Sequence, residues 1–240
     1  ALLLILHQIF GSRGDIRLVA VTVDEGISGY REATVRSAEA LIHRLGVEHI
    51  TVSFEELYGQ TLDTLLNGRE SQACSICGIL RKKALVAGAE RAGATKLATG
   101  HNLDDEAQSV LMNVLRGDLM RLVRDSGLES SGRFIPRIKP LMYVQEKEIA
   151  TYLMVQGIWD ELPECPYAIH ALRREVRSML SGIEYRHPGT MLRLMENKKV
   201  VETAFPKKTA GEPVRTCREC GDPCSGELCQ LCQLRHSLGC

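Results

Sequence analysis

The chain has 240 residues, 30 Lys and Arg against 30 Asp and Glu, 44% hydrophobic and 25% charged positions. This apolar fraction excludes a disordered chain, and at about 150 residues per domain the length accommodates one domain and a smaller annex. Balanced charge carries no global nucleic-acid signature, so polynucleotide binding has to come from local patches. The apolar opening Ala1–Leu6 breaks at His7 and Gln8, far short of the ~18 residues of a membrane span, and has no basic start of a signal peptide. The expectation is a cytoplasmic protein with no membrane partner.

Ala1–Phe10 reads as an apolar helix with no N-cap and no strand before it, so the first βα unit lacks its β. Leu18–Val23 is a continuous apolar run closed by Asp24-Glu25-Gly26, the pattern of a parallel strand buried on both faces that opens into a loop. Ala38, Leu41, Ile42 and Leu45 recur at helical spacing and stop at Gly46, a glycine C-cap. A strand over 49–53, a helix over 55–66 and a polar loop over 67–72 then lead to Cys74. A helix over 79–91, a strand over 96–99 and a helix carrying Ala107, Val110, Leu111 and Val114 follow. This alternation predicts an α/β fold, a doubly wound parallel sheet whose ligands bind beyond the carboxyl ends of the strands, where Asp24 and Gly100 fall.

From Gln145 the pattern turns helical, with segments around Ile149, Tyr152 and Leu153, over 168–180 and over 191–201. The apolar faces of these late helices leave room for a homodimer. Past Pro206-Lys207-Lys208 the chain is rich in Cys, Gly and turn residues, too short and too polar to fold without a staple. The expected regions are an α/β domain over 1–144, a helical region over 145–212 and a cysteine module over 213–240.

Nine cysteines, an odd number with a Cys-free stretch over 78–164, do not suit a secreted disulfide scaffold, so metal or redox chemistry leads. Cys217-x2-Cys220-x8-Cys229-x2-Cys232 is a pair of knuckles that can close on one tetrahedral Zn2+, with Gly221, Pro223 and Gly226 supplying the turns. Cys224 and Cys240 are left over. Cys74-Ser75-Ile76-Cys77 alone leaves three readings open: a redox pair, half a metal site or two buried small residues. The following Arg81, Lys82 and Lys83 would stabilise thiolates, an anionic cluster or phosphate, or else form a solvated helix face. Cys165 reads as packing unless the fold returns it to the CxxC.

The stretch Thr99-Gly100-His101-Asn102-Leu103-Asp104-Asp105-Glu106 lies where a strand end meets a helix start. Asn102 can cap the helix, with acidic residues facing its dipole. Equally, His101, Asp104 and Asp105 at the carboxyl edge of a parallel sheet suit a nucleotide and Mg2+. Between 168 and 199 a basic excess includes Arg173, Arg174 and Arg177, which make a phosphate-contacting stripe if they share a face and serve helix solubility if they do not.

CSICGILRKKA, ATGHNLDDEAQSVLMNVLRGD, the isolated Glu164-Cys165-Pro166-Tyr167 and the C-terminal CxxC-x8-CxxC together resemble the tRNA 2-thiouridine synthetases of the TtuA/NcsA type. These are PP-loop adenylating enzymes, and the resemblance spans nearly the whole chain. It implies a PP-loop ATP-pyrophosphatase (HUP-like) sheet, a [4Fe-4S] cluster on three cysteines, and a zinc ribbon that assists tRNA binding. It also implies an ATP-dependent sulfurtransferase that adenylates the uridine C2 oxygen and then transfers sulfur from sulfide held at the cluster's open iron. On this resemblance Cys74, Cys77 and Cys165 match the cluster ligands, Arg81 a basic ATP-site position, and Gly100 and Asp105 positions near the nucleotide. His101 and Asp104 stand beside these. Val23 matches the strand end whose backbone meets adenine, and Cys217, Cys220, Cys229 and Cys232 match the zinc ligands. The implied partners are tRNA and, as sulfur source, free sulfide or a ubiquitin-like carrier protein. The family's SGGKDS phosphate loop and N-terminal zinc ribbon are not in the sequence, and both are expected upstream of Ala1. Two rival readings are tRNA cytidine 2-thiolation, which the C-terminal ribbon disfavours, and a nonenzymatic zinc-containing tRNA-binding protein.

Overall fold

The structure, a computed structural model, describes residues 1–118, 135–158, 161–204, 215–222, 224 and 226–238. The chain divides into two discontinuous units, one of residues 1–16, 95–161 and 169–210, the other of 17–94, 162–168 and 211–240. Helix α1 (Leu2–Phe10) opens the chain where expected.

In the unit built on 17–94, β1 (Val19–Asp24) and β2 (Glu48–Ser53) pair in parallel, with Val23 opposite Val52. The crossover helix α2 (Arg31–Leu45) ends on Gly46, whose φ of 62° lets its N–H reach back to the last carbonyls. The single helix expected over 55–66 is instead two, α3 (Phe54–Tyr58) and α4 (Leu62–Leu66). Gly59 turns left-handed and stops the first, while the Thr61 side chain accepts Thr64 N–H and starts the second. A 3-10 turn over Glu70–Gln72 replaces part of the expected loop. Helix α5 (Ala73–Arg91) therefore begins well before residue 79 and carries Cys74 and Cys77 in its first turns.

Helix α5 packs on β1 and β2. A Cβ at Gly88 would stand 2.4 Å from Val21 Cγ1, so the close approach of helix to sheet requires glycine there. The core beneath combines Val52, Phe54, Leu62, Leu66, Leu80 and Ala84, and the Tyr58 hydroxyl donates to Leu80 O at 2.8 Å.

In the other unit β3 (Leu97–Ala98) pairs in parallel with β4 (Arg137–Ile138), a strand too short and polar to be anticipated. The described residues thus hold two parallel strand pairs rather than one continuous doubly wound sheet. Helix α6 (Leu103–Leu115) leads to α7 (Glu146–Val155), α8 (Leu172–Arg186) and α9 (Thr190–Ala204). The helix expected over 168–180 starts later and runs further, because Pro166–His170 forms a 3-10 turn instead. Helices α6, α8 and α9 meet around Leu103, Ala107, Val110, Leu180, Met191 and Met195. The Tyr152 hydroxyl donates to Gln8 Oε1 at 2.8 Å and ties α7 to α1.

Glu184 organises the α8–α9 corner. Its buried carboxylate accepts Gly189 N–H at 2.8 Å and Met191 N–H at 2.9 Å, satisfying donors that the start of α9 leaves orphaned. The last helix, α10 (Gln230–Leu238), belongs to the unit of α5, where Leu231 and Leu234 pack on the core.

Candidate functional site

None of the described cysteines is in a disulfide. The segment 162–168 brings Cys165 into the unit that carries the CxxC, where Cys165 and Tyr167 pack on the core cluster that includes Cys77. Cys74 Sγ lies 4.0 Å from Tyr167 O. Tyr167 donates its hydroxyl to Asp63 Oδ1 at 2.8 Å, and Asp63 Oδ2 accepts Ser28 N–H at 2.9 Å, so one carboxylate anchors this strap to the loop after β1. Burial and the Asp63 bond push the Tyr167 phenol up to about 12. Cys165 thus lies in the same packed cluster as Cys77.

Burial pushes the Cys77 thiol up to about 11, against the opposing pull of Arg81, whose Nη2 donates to Cys77 Sγ at 3.5 Å. In a cubane cluster each thiolate binds its own iron, so the ligands need not converge on one point. Three thiols in one unit, graded from exposed to buried and faced by a guanidinium, fit an anionic iron–sulfur cluster.

Behind Cys77 lies Glu25, 1% exposed, with Arg81 Nε at 2.6 Å from one carboxylate oxygen and Arg31 Nε at 2.5 Å from the other. Arg31 also donates to the carbonyl of Val23, so the strand-end backbone expected to meet adenine already holds a guanidinium. Gly26 lets the chain turn Glu25 inward: its φ is 66°, and a Cβ there would sit 2.6 Å from Thr61 Cβ. Sequence reasoning missed Glu25 and Arg31. The available signal was a carboxylate directly after an apolar strand, at the edge where α/β folds place their chemistry.

In the other unit, Asn102 and Asp105 form a reciprocal capping box, Asn102 Oδ1 accepting Asp105 N–H at 2.9 Å and Asp105 Oδ2 accepting Asn102 N–H at 3.3 Å. Asp104 Oδ2 accepts Glu146 N–H at 2.7 Å, and Arg173 Nη1 stands 3.5 Å from Asp105 Oδ1. Both carboxylates thus hold helix starts. His101 sits 2.9 Å from Thr99 Oγ1, and partial burial together with the Lys139 charge lowers its pKa. Around Gly100 nothing lies within 4 Å of where a Cβ would stand, leaving its backbone approachable. Glu106, buried, was not singled out from the sequence; Lys139 Nζ lies 2.6 Å and Lys198 Nζ 3.7 Å from its carboxylate oxygens.

Two of the three arginines of the stripe are engaged by other side chains. Arg173 reaches Asp105, Gln108 Oε1 at 3.3 Å and Ser109 Oγ at 3.1 Å, while Arg177 Nη2 meets both Glu146 oxygens at 2.6 and 2.7 Å. Their shared face meets polar side chains of α6 and α7, and both Arg174 and Arg177 remain exposed.

The sulfurs of Cys217, Cys220, Cys229 and Cys232 all lie within 4.8 Å of one another, and Cys220 and Cys229 are 3.6 Å apart. Four sulfurs at about 2.3 Å from one ion in a tetrahedron are about 3.8 Å apart, so this set can hold a single metal. Backbone hydrogen bonds at Cys220 and Cys229 hold the Cys217 thiol down to about 6, while burial pushes the Cys220 thiol up to about 11 and the Cys232 thiol up as well. Gly221, φ 72°, makes the first knuckle's turn. Cys224 stands outside the set, donating to Gly226 O at 3.1 Å. Pro223 and Cys240 lie outside the described residues. Asp222 pairs with Lys83 of α5, and Cys217 N–H donates to Asp222 O at 2.6 Å, so the module is tied to the helix that bears the CxxC.

A family model described as the PP-loop domain matches residues 1–178. The tRNA 2-thiolation protein NcsA of Haloferax volcanii is 36% identical over 247 aligned positions, which cover 98% of this chain and 77% of that protein. Cytoplasmic tRNA 2-thiolation protein 1 of Mus musculus is 38% identical over 231 positions, covering 93% of this chain and 54% of that protein. The solved structure of the U34-tRNA thiolase NcsA from Methanococcus maripaludis with its [4Fe-4S] cluster matches with a TM-score of 0.86 at 28% identity, over 100% of this chain and 76% of that one. The chain belongs to the PP-loop family, among the tRNA 2-thiolation proteins related to NcsA.

Proposed function

We propose that this chain belongs to an ATP-dependent tRNA uridine 2-sulfurtransferase of the cytoplasm. The observation that carries the reading is the return of Cys165 to the Cys74–Cys77 helix turn beside Arg81, in a fold matched to a thiolase that holds a [4Fe-4S] cluster. Cys74, Cys77 and Cys165 would hold that cluster, whose fourth iron has no protein ligand; when bound, it supplies activated sulfide as the sulfur nucleophile. The uridine 2-oxygen attacks the α-phosphate of ATP and pyrophosphate leaves. Sulfide then attacks C2, and AMP departs with the former oxygen.

Roles follow by residue. Arg81 offsets anionic charge beside Cys77, and Val23, whose carbonyl Arg31 holds, marks the strand end that meets adenine. In the other unit Gly100 offers open backbone to phosphate, His101 a neutral imidazole, and Asp104 and Asp105 oxygens for Mg2+. Cys217, Cys220, Cys229 and Cys232 bind Zn2+ and order a ribbon over 213–240, while 145–212 supplies helices to the tRNA. The sulfur arrives as free sulfide or on a ubiquitin-like carrier. The C-terminal cysteine module and the U34-specific neighbour support uridine over cytidine. Three convergent cluster cysteines support an enzyme over a bare tRNA-binding module.

Anaerobic reconstitution with iron and sulfide tests this: visible cluster absorption and tRNA thiolation should appear together, and Cys165→Ala should lose both. Full thiolation by cluster-free protein overturns the reading.

A further inference from the structure

The Glu25 carboxylate belongs to none of the roles above, yet it is among the most buried side chains of the protein at 1% exposure. A carboxylate this buried needs cations beside it, and here Arg31 and Arg81 supply them at 2.5 and 2.6 Å. The two arginines are held differently. Arg31 is also fixed by Val23 O and by Thr34 Oγ1 at 2.9 Å. Arg81, whose side chain is 46% exposed, is gripped through Nε by Glu25 and extends Nη2 to Cys77 Sγ. A long side chain this open to solvent would otherwise sample many rotamers. Glu25 selects the one that lays a guanidinium on the sulfur.

We infer that Glu25 is a positioning residue: it holds Arg81 against Cys77 so that a fixed cation balances the negative charge that three thiolates give the cluster. The inference rests on the cluster reading of Cys74, Cys77 and Cys165. Charge and hydrogen bonds at cluster sulfurs set the reduction potential, which makes the potential the readout.

The sign of the shift separates positioning from a simple field effect. Removing the Glu25 charge alone favours the reduced cluster and raises the midpoint potential. Releasing Arg81 from Cys77 removes a cation and lowers it. Redox titration of the anaerobically reconstituted protein should therefore show a downward shift for Glu25→Gln, in the direction of Arg81→Met, whereas Glu25→Gln added to Arg81→Met should shift upward. An unchanged or raised potential in the single Glu25→Gln protein overturns the proposal. If that variant does not fold, Arg81→Lys decides: an ammonium cannot bond Glu25 and Cys77 as a fork, so the potential should fall, and a wild-type potential overturns the role. Wild-type protein that takes up no cluster overturns the cluster reading and this role with it; a normal cluster with an unmoved potential overturns only the role.

Discussion

Cys217, Cys220, Cys229 and Cys232 come from one stretch over 217–232, whereas Cys74, Cys77 and Cys165 are drawn from the start of α5 and from a strap far along the chain. In the first set, backbone turns of the same stretch gather the sulfurs within 4.8 Å, and nearly everything buried around them is the cysteines themselves. In the second, a pre-existing core of β1, β2 and α5 positions the thiols, and side chains from Ser28 to Tyr167 hold the strap. A local set is gathered by the turns of its own segment; a dispersed set is gathered by packing between distant parts of the chain.

The largest test of that contrast is metal removal. Excess chelator, or Cys229→Ser, should unfold the segment over 215–238, because a structural zinc site supplies ~10 kcal/mol of folding free energy. Metal analysis with hydrogen exchange should show the C-terminal amides lose protection while cluster absorption on Cys74, Cys77 and Cys165 persists. Loss of both together would mean that the two sites are one cooperative element.

Asp63→Ala should cost ~1 kcal/mol by removing its hydrogen bonds to the exposed Ser28 N–H and the part-buried Tyr167 hydroxyl. It should also hasten cluster loss in air at unchanged zinc content. Cluster lifetimes equal to wild type would show that the strap does not depend on this anchor.

Glu184 serves as a control outside both cysteine sets. Burial pushes its carboxyl up, but the Met191 and Gly189 N–H groups outweigh this and leave it below the usual range. The unfolded chain therefore binds the proton more tightly, so this contribution is complete above the unfolded pKa of about 4.3 and is lost as pH falls through the lower folded value. Glu184→Gln should cost ~1 kcal/mol at neutral pH and flatten acid unfolding near pH 4, with metal and cluster content untouched. The smallest effect belongs to Lys83→Ala. Its partly exposed pair with Asp222 should be worth ~1 kcal/mol or less, measured by denaturant unfolding, and a much larger loss would show that α5 depends on the ribbon.

Legibility in the sequence followed the same division. The strand over 18–23, the Gly46 cap, the Asn102 cap and the four-cysteine spacing are local patterns, each within a few residues of the chemistry that enforces it. The break at Gly59 was also local and was overlooked because the apolar pattern runs on through it. Arg173 and Arg177 looked like a free basic stripe because their carboxylate partners lie on other helices.

By itself the sequence determined which residues can ligate a metal, where most helices and strands lie, and that the last segment needs a staple, since backbone preference, periodicity and ligand spacing act over short range. Tertiary structure decided that Cys165 packs in the core cluster that includes Cys77, that Glu25 pairs with Arg81 beside Cys77, and that Asp104 and Asp105 hold helix starts. Each of those outcomes depends on burial, and burial brings together groups whose separation along the chain carries no trace of their distance in space.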